Sequence, residues 1–141
     1  MKAIPMILLA LGLFAAGEDP KTDDAKKDQE KLQGTWTMSK LERDGEDLLQ
    51  QAGAVEVVFK DDTYKNDFVA AKFKLDPSKT PKAIDVTYTE GNAVGQTFKG
   101  IYKLDGDTLT ICRANDEKAD RPTEFTSPAG SGKMLFVLKK K

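Results

Sequence analysis

The 141-residue chain is 39% apolar and 32% charged, the balance of a soluble globular protein with enough length for one core. Its 22 basic and 23 acidic side chains are interspersed and leave a net charge of -1, which offers no electrostatic footprint for nucleic acid or an anionic membrane. With no histidine and a single cysteine, the chain can build no Ser-His-Asp triad, no imidazole metal site, no structural zinc site and no internal disulfide framework.

The first residues read as a leader. Lys2 precedes the apolar run AIPMILLALGLFAA, and Ala15-Ala16-Gly17 offers small residues for cleavage before Glu18-Asp19-Pro20. Residues 1–17 therefore read as a signal peptide, and the protein as exported, periplasmic or extracellular. The run is shorter than the ~20 apolar residues a bilayer crossing needs. No cysteine follows the cleavage site to carry a lipid, so no stable membrane anchor is expected after cleavage. Residues 18–30, EDPKTDDAKKDQE, hold six acids and three lysines without apolar periodicity. They predict a disordered or loosely helical linker, with the folded domain over residues 31–141.

From Gly34 onward the apolar period is two, the signature of half-buried strands. Trp36 and Met38 share one face. The segment 46–52, EDLLQQA, has acids at its start and Gly53 after its end, which predicts one short helix. Val55, Val57 and Phe59 follow, then Tyr64 and Phe68 beyond an Asp61-Asp62 turn, then Ala71, Phe73 and Leu75. Ile84, Val86 and Tyr88 come after DPSKTP, and Phe98, Tyr102 and Leu104 after EGNAVG. The stretch LDGDTL is a strong hairpin signal, because Asp-Gly supplies the positive φ angles of a tight turn. Leu109 and Ile111 follow it on one face, with Thr108, Thr110 and Cys112 on the other, and KMLFVLKKK closes the chain. Cys112 reads as a small, partly covered strand residue with no histidine to activate it.

Short connections force antiparallel pairing in sequence order. The fold class is therefore all-β: an eight-stranded antiparallel up-and-down barrel with one short helix between strands 1 and 2, closed because closure removes exposed edges. An open sandwich is the alternative.

Gly34-Thr35-Trp36 resembles the G-x-W motif of the lipocalin superfamily. The blocks LQGTWTMSKLERDGEDL, KFKLDPSKTPKAIDV, GIYKLDGDTLTIC and RPTEFTSPAGSGKMLFVLKK, in that order, are similar to a family of small exported lipocalin-like proteins that abounds in planctomycete bacteria and has no established activity. The resemblance implies that Trp36 packs across the closed end of the barrel with a basic side chain over its ring. Arg121, Arg113 and Lys139 are the candidates for that base, and Gly34, Trp36 and Arg121 are taken as the floor. Gly34 is expected to let another segment pass close to the backbone.

The search for catalytic chemistry is negative. SPAGSGKM has Ser127 where a phosphate-binding loop needs its first glycine and Met134 where it needs Ser or Thr, and it precedes a strand. Asp61-Asp62 and Asp105-Gly106-Asp107 sit in turns where Asp is favoured for backbone reasons. Nothing singles out Glu42, Asp85 or Glu124 as a glycosidase pair. No catalytic residue, metal or cofactor is predicted. The long segment 114–132 is expected to be pinned over one barrel end by Phe125, with Arg121 paired to a nearby carboxylate; a lid is the other reading.

The functional expectation is the binding of a small hydrophobic molecule inside the barrel, against Phe59, Tyr64, Phe73, Tyr88, Phe98 and Tyr102. The alternative is a ligand-free module that binds an envelope protein. An interior of ~300 Å³ or more favours a carrier, and a filled interior favours the interaction module. Trp36→Ala is expected to cost about 3 to 5 kcal/mol in a urea unfolding titration; a variant as stable as the parent would refute the floor assignment.

Overall fold

The computed structural model describes residues 20–141. The signal peptide expected over residues 1–17 lies outside the described residues. In chain order the elements are α1 (Pro20–Leu32), β1 (Gly34–Arg43), β2 (Glu46–Asp47), α2 (Leu49–Ala52), β3 (Glu56–Lys60), β4 (Thr63–Lys65), β5 (Ala70–Asp76), β6 (Ala83–Glu90), β7 (Thr97–Asp105), β8 (Thr108–Ala114) and β9 (Lys133–Lys140). Strand β1 pairs with β3, each later strand pairs antiparallel with the one before it, and β9 returns to β1. Strands β1 and β3–β9 thus form a closed eight-stranded antiparallel barrel. The closing seam runs from Met134 opposite Arg43 to Lys140 opposite Trp36, with an irregularity between Val137 and Leu138. The two-residue β2 is a spur folded back on β1.

Alternation sorts the side chains. Val57 and Phe59, then Ala71, Phe73 and Leu75, then Ile84, Val86 and Tyr88 are buried on the inner face, with exposed or half-buried residues between them. Phe68 breaks the expected pattern. The carboxamide oxygen of Asn66 accepts hydrogen bonds from the backbone N–H of Phe68 (2.8 Å) and Val69 (2.9 Å), ending β4 in a tight turn. Phe68 is left 65% exposed, outside the interior where the period-two count had placed it. The expected helix over 46–52 is also shorter. Glu46 and Asp47 pair with β1, and the Asp47 carboxylate accepts the Leu49 N–H at 2.9 Å, so only Leu49–Ala52 is helical.

The segment expected to be a disordered or loosely helical linker is helical from Pro20 onward (α1), and it packs on the barrel, which was not expected. Leu32 is fully buried, Ala25 packs against the core, and Asp28 is 5% exposed. Asp28 accepts the Tyr102 hydroxyl (2.6 Å) and the Lys82 ammonium (3.0 Å). The inner face of α1 is partly charged and therefore carries no apolar period. The barrel domain accordingly begins before residue 31.

The floor is built where α1 meets β1. Trp36 is fully buried, donates its indole N–H to the Leu32 carbonyl at 2.8 Å, and meets the edge of Phe59 with ring centroids 6.2 Å apart. The base over its ring is Lys140, 5.5 Å from the centroid. Arg121, taken as a floor residue, lies elsewhere: it pairs with Asp85 at 2.9 Å and donates to the Gly100 (2.8 Å) and Ile84 (3.2 Å) carbonyls on the outer wall. Lys139 bonds Thr108, and Arg113 is inside the barrel. Gly34 serves through its φ of +118°, which turns the chain from α1 into β1; the nearest atom to a Cβ there would be Lys140 Cε at an ordinary 3.7 Å.

Residues 115–132 run along the outside of the barrel, where Phe125 covers buried Ile101, Cys112 and Leu135. Phe125 thus pins the loop to the wall and not over a barrel end. Buried Ser127 donates to Glu42 at 2.8 Å, a second fastening. Leu32→Ala is expected to destabilise the domain by about 2 to 5 kcal/mol in urea unfolding; an unchanged midpoint would show that α1 is not part of the cooperative unit.

Candidate functional site: a donor-rich cavity inside the barrel

Aromatic side chains fill much of the interior. Phe59 contacts Tyr64 and Phe73 with centroid distances of 5.5 and 5.7 Å, and Tyr88 meets Phe98 at 5.6 Å. What remains is a cavity of about 60 Å³ at the end of the barrel away from the floor. Its wall includes Met38, Val57, Phe59, Tyr64, Tyr88 and Phe136, together with Arg113. Of the six aromatics expected to line a ligand site, Phe59, Tyr64 and Tyr88 face this space. Phe73 packs against Phe59, Phe98 lies under the Arg113 guanidinium, and Tyr102 is committed to Asp28 at the floor.

Arg113, one of the three candidates for the base over Trp36, lies instead inside the barrel. It is two and four residues beyond Ile111 and Leu109 on β8, so the same alternation that buries them points it inward. It is 6% exposed, and its guanidinium carbon lies 4.5, 5.4 and 5.6 Å from the ring centroids of Phe98, Tyr88 and Phe136. One terminal nitrogen donates to the Ala114 carbonyl at 3.0 Å and the other to the Tyr88 hydroxyl at 2.9 Å. The Nε has no partner. Gly100 stands opposite Arg113 on β7, and a Cβ there would come within 2.8 Å of the Cys112 carbonyl oxygen and 2.9 Å of Arg113 Cβ. A side chain at 100 would displace the arginine.

The Tyr64 hydroxyl donates to Tyr88 at 3.4 Å. Burial, reinforced by the neighbouring Tyr88, holds the Tyr64 phenol well above its ordinary range, with Arg113 opposing. Tyr102 is also raised, first by burial and then by its hydrogen bond to the Asp28 carboxylate and that group's charge. Burial likewise raises Cys112, with Thr126 and Lys133 opposing, and its thiol donates to the Thr126 carbonyl at 3.4 Å.

A larger hollow of about 340 Å³ lies outside the barrel beside Phe125, between Pro77, Pro81 and Lys103. It is a surface groove and contains no buried polar atom lacking a partner. Among the described residues no three acidic, Cys or His side chains gather as a metal site. Of the buried side-chain atoms without a hydrogen-bond partner among the described residues, Arg113 Nε belongs to the wall of the interior cavity, whereas Asp85 Oδ1, which is ion-paired with Arg121, and Ser131 Oγ lie elsewhere.

Comparison of the chain with family models, with curated proteins and with solved structures gives no match.

The two raised phenols fix a pH dependence. Their folded-state pKa values lie above the unfolded value of about 10, so stability is intact below about pH 10 and falls above it, as the unfolded chain ionises first. Tyr102→Phe is expected to flatten that decline. Unfolding free energies measured from pH 8 to 11.5 check it, and an equally steep decline in the variant would contradict the assignment.

Proposed function

We propose that this protein is an exported, lipocalin-like barrel of the small planctomycete family whose interior binds a small hydrophobic molecule, and that it is not an enzyme. The cavity walled by Met38, Val57, Phe59 and Phe136 is the observation that carries the reading. Apolar, concave and flanked by a few polar groups, it has the composition of a small-molecule site. At about 60 Å³ it falls well short of the ~300 Å³ that favours a carrier, which counts toward the second reading below, and it is smaller than the roughly 150 Å³ apolar cavity that holds benzene. The ligand is accordingly a molecule of a few heavy atoms. The absence of histidine from the chain supports binding over catalysis.

A second reading, a protein-interaction module of the cell envelope, draws on a different observation. Phe68 and Val94 are 65% and 60% exposed, on the β4–β5 and β6–β7 loops at the end of the barrel away from the floor. Large exposed apolar side chains on neighbouring loops suit contact with another protein.

Xenon tests the first reading without presupposing a ligand's polarity. Under xenon pressure the NMR signals of Val57, Phe59 and Leu138 are expected to shift and saturate. Native mass spectrometry of protein purified from its own host is expected to show a small added mass. A dry, xenon-silent interior together with an intact protein-sized adduct would replace this reading with the second.

A further inference from the structure

We propose that the interior cavity is a site for a small aliphatic monocarboxylate, about the size of acetate or propionate, whose carboxylate is received by Arg113 and Tyr88. The proposal rests on the reading that the cavity holds a small molecule, and it names that molecule's chemistry.

The first support is an uncompensated charge. Arginine keeps its proton at any pH at which the protein folds. Arg113 is 6% exposed, and among the described residues no carboxylate pairs with it. The faces of Phe98, Tyr88 and Phe136 attract the cation, but they neither neutralise it nor accept its remaining N–H. A buried charge without a counter-charge is unfavourable, and a methionine would fill a similar volume with no such cost.

The second support is a count of donors against acceptors. Arg113 Nε has no acceptor. The Tyr88 hydroxyl oxygen receives both Arg113 and Tyr64, leaving its own proton without an acceptor among the described residues. Asn66, also on the cavity wall, uses its carboxamide oxygen on the Phe68 and Val69 N–H groups, which leaves only its NH₂. The polar part of the wall therefore offers three unmatched donors and a positive charge against one free acceptor, the Tyr64 hydroxyl oxygen, and among the described residues holds no anion. A carboxylate supplies two acceptor oxygens and the opposite charge, and binds a guanidinium through paired hydrogen bonds. The rest of the wall, with Met38, Val57 and Leu138, suits a short alkyl tail. The volume of about 60 Å³ limits that tail to a few carbons.

The test compares propionate, propionamide and 1-propanol on the wild-type protein by NMR titration at fixed ionic strength, with unfolding temperature as a second readout. Propionate is expected to shift the Tyr88, Arg113 and Phe136 signals, to bind at least about tenfold more tightly than propionamide, and to raise the unfolding temperature. Arg113→Gln is expected to lose about tenfold or more in propionate affinity while its affinity for 1-propanol stays within about twofold. Equal affinity for propionate and propionamide overturns the carboxylate assignment and leaves the small-molecule reading standing. If neither these probes nor xenon perturbs the cavity signals, both fail. Should Arg113→Gln not fold, the wild-type ratio of propionate to propionamide decides alone: about tenfold supports the assignment, and parity overturns it.

Discussion

The structure depends on one indole kept out of water. Trp36 sits where the first strand of the barrel meets the helix before it, and its single polar atom is satisfied by the Leu32 carbonyl. That hydrogen bond ties a helix, a floor and a strand together: without it the buried N–H would be an orphan, and without Leu32 the ring would face solvent. Lys140, the last residue of the closing strand, lies over the same ring. The beginning and end of the barrel chain therefore meet on one side chain, and the seam between β1 and β9 is fastened at the point where an unsupported barrel would open.

The two ends of the barrel are chemically opposite. At the floor the buried polar groups are paired: Asp28 accepts from a phenol and an ammonium, and the indole N–H donates to a carbonyl. At the other end a guanidinium is enclosed by rings, with one nitrogen unanswered. A folded protein tolerates such imbalance only when the rest of the structure enforces it. Gly100 is part of that enforcement, since the arginine occupies the space a side chain there would need.

Much of this architecture was legible in the alternation of apolar residues. The buried runs from Val57 to Phe59, Ala71 to Leu75 and Ile84 to Tyr88 follow from period two alone. What was not legible has physical causes. Helix α1 hides because its inward face includes Asp28, which is buried by pairing and not by apolarity. Phe68 faces out because Asn66 folds its carboxamide back on the backbone and resets the phase of the strand. Which base covers Trp36 depends on the closing register, which places Lys140 and not Arg121 opposite it. Arg113 is the instructive case, because its position on β8 was in phase with Ile111 throughout. Its charge made it a candidate for the base over Trp36, and its phase on the strand places it inside the barrel instead.

The loop on the outer wall has a consequence for redox chemistry. Cys112 is fully buried beneath Phe125 and Thr126, on the outside of the strands. An unpaired thiol on a barrel wall would be open to mixed-disulfide exchange and covalent dimerisation in an oxidising compartment. Here its reaction with any such partner must wait for the strap to lift, so the pace of modification at Cys112 reads out the opening free energy of residues 115–132. The lone sulfur is a built-in clock for the detachment of that loop.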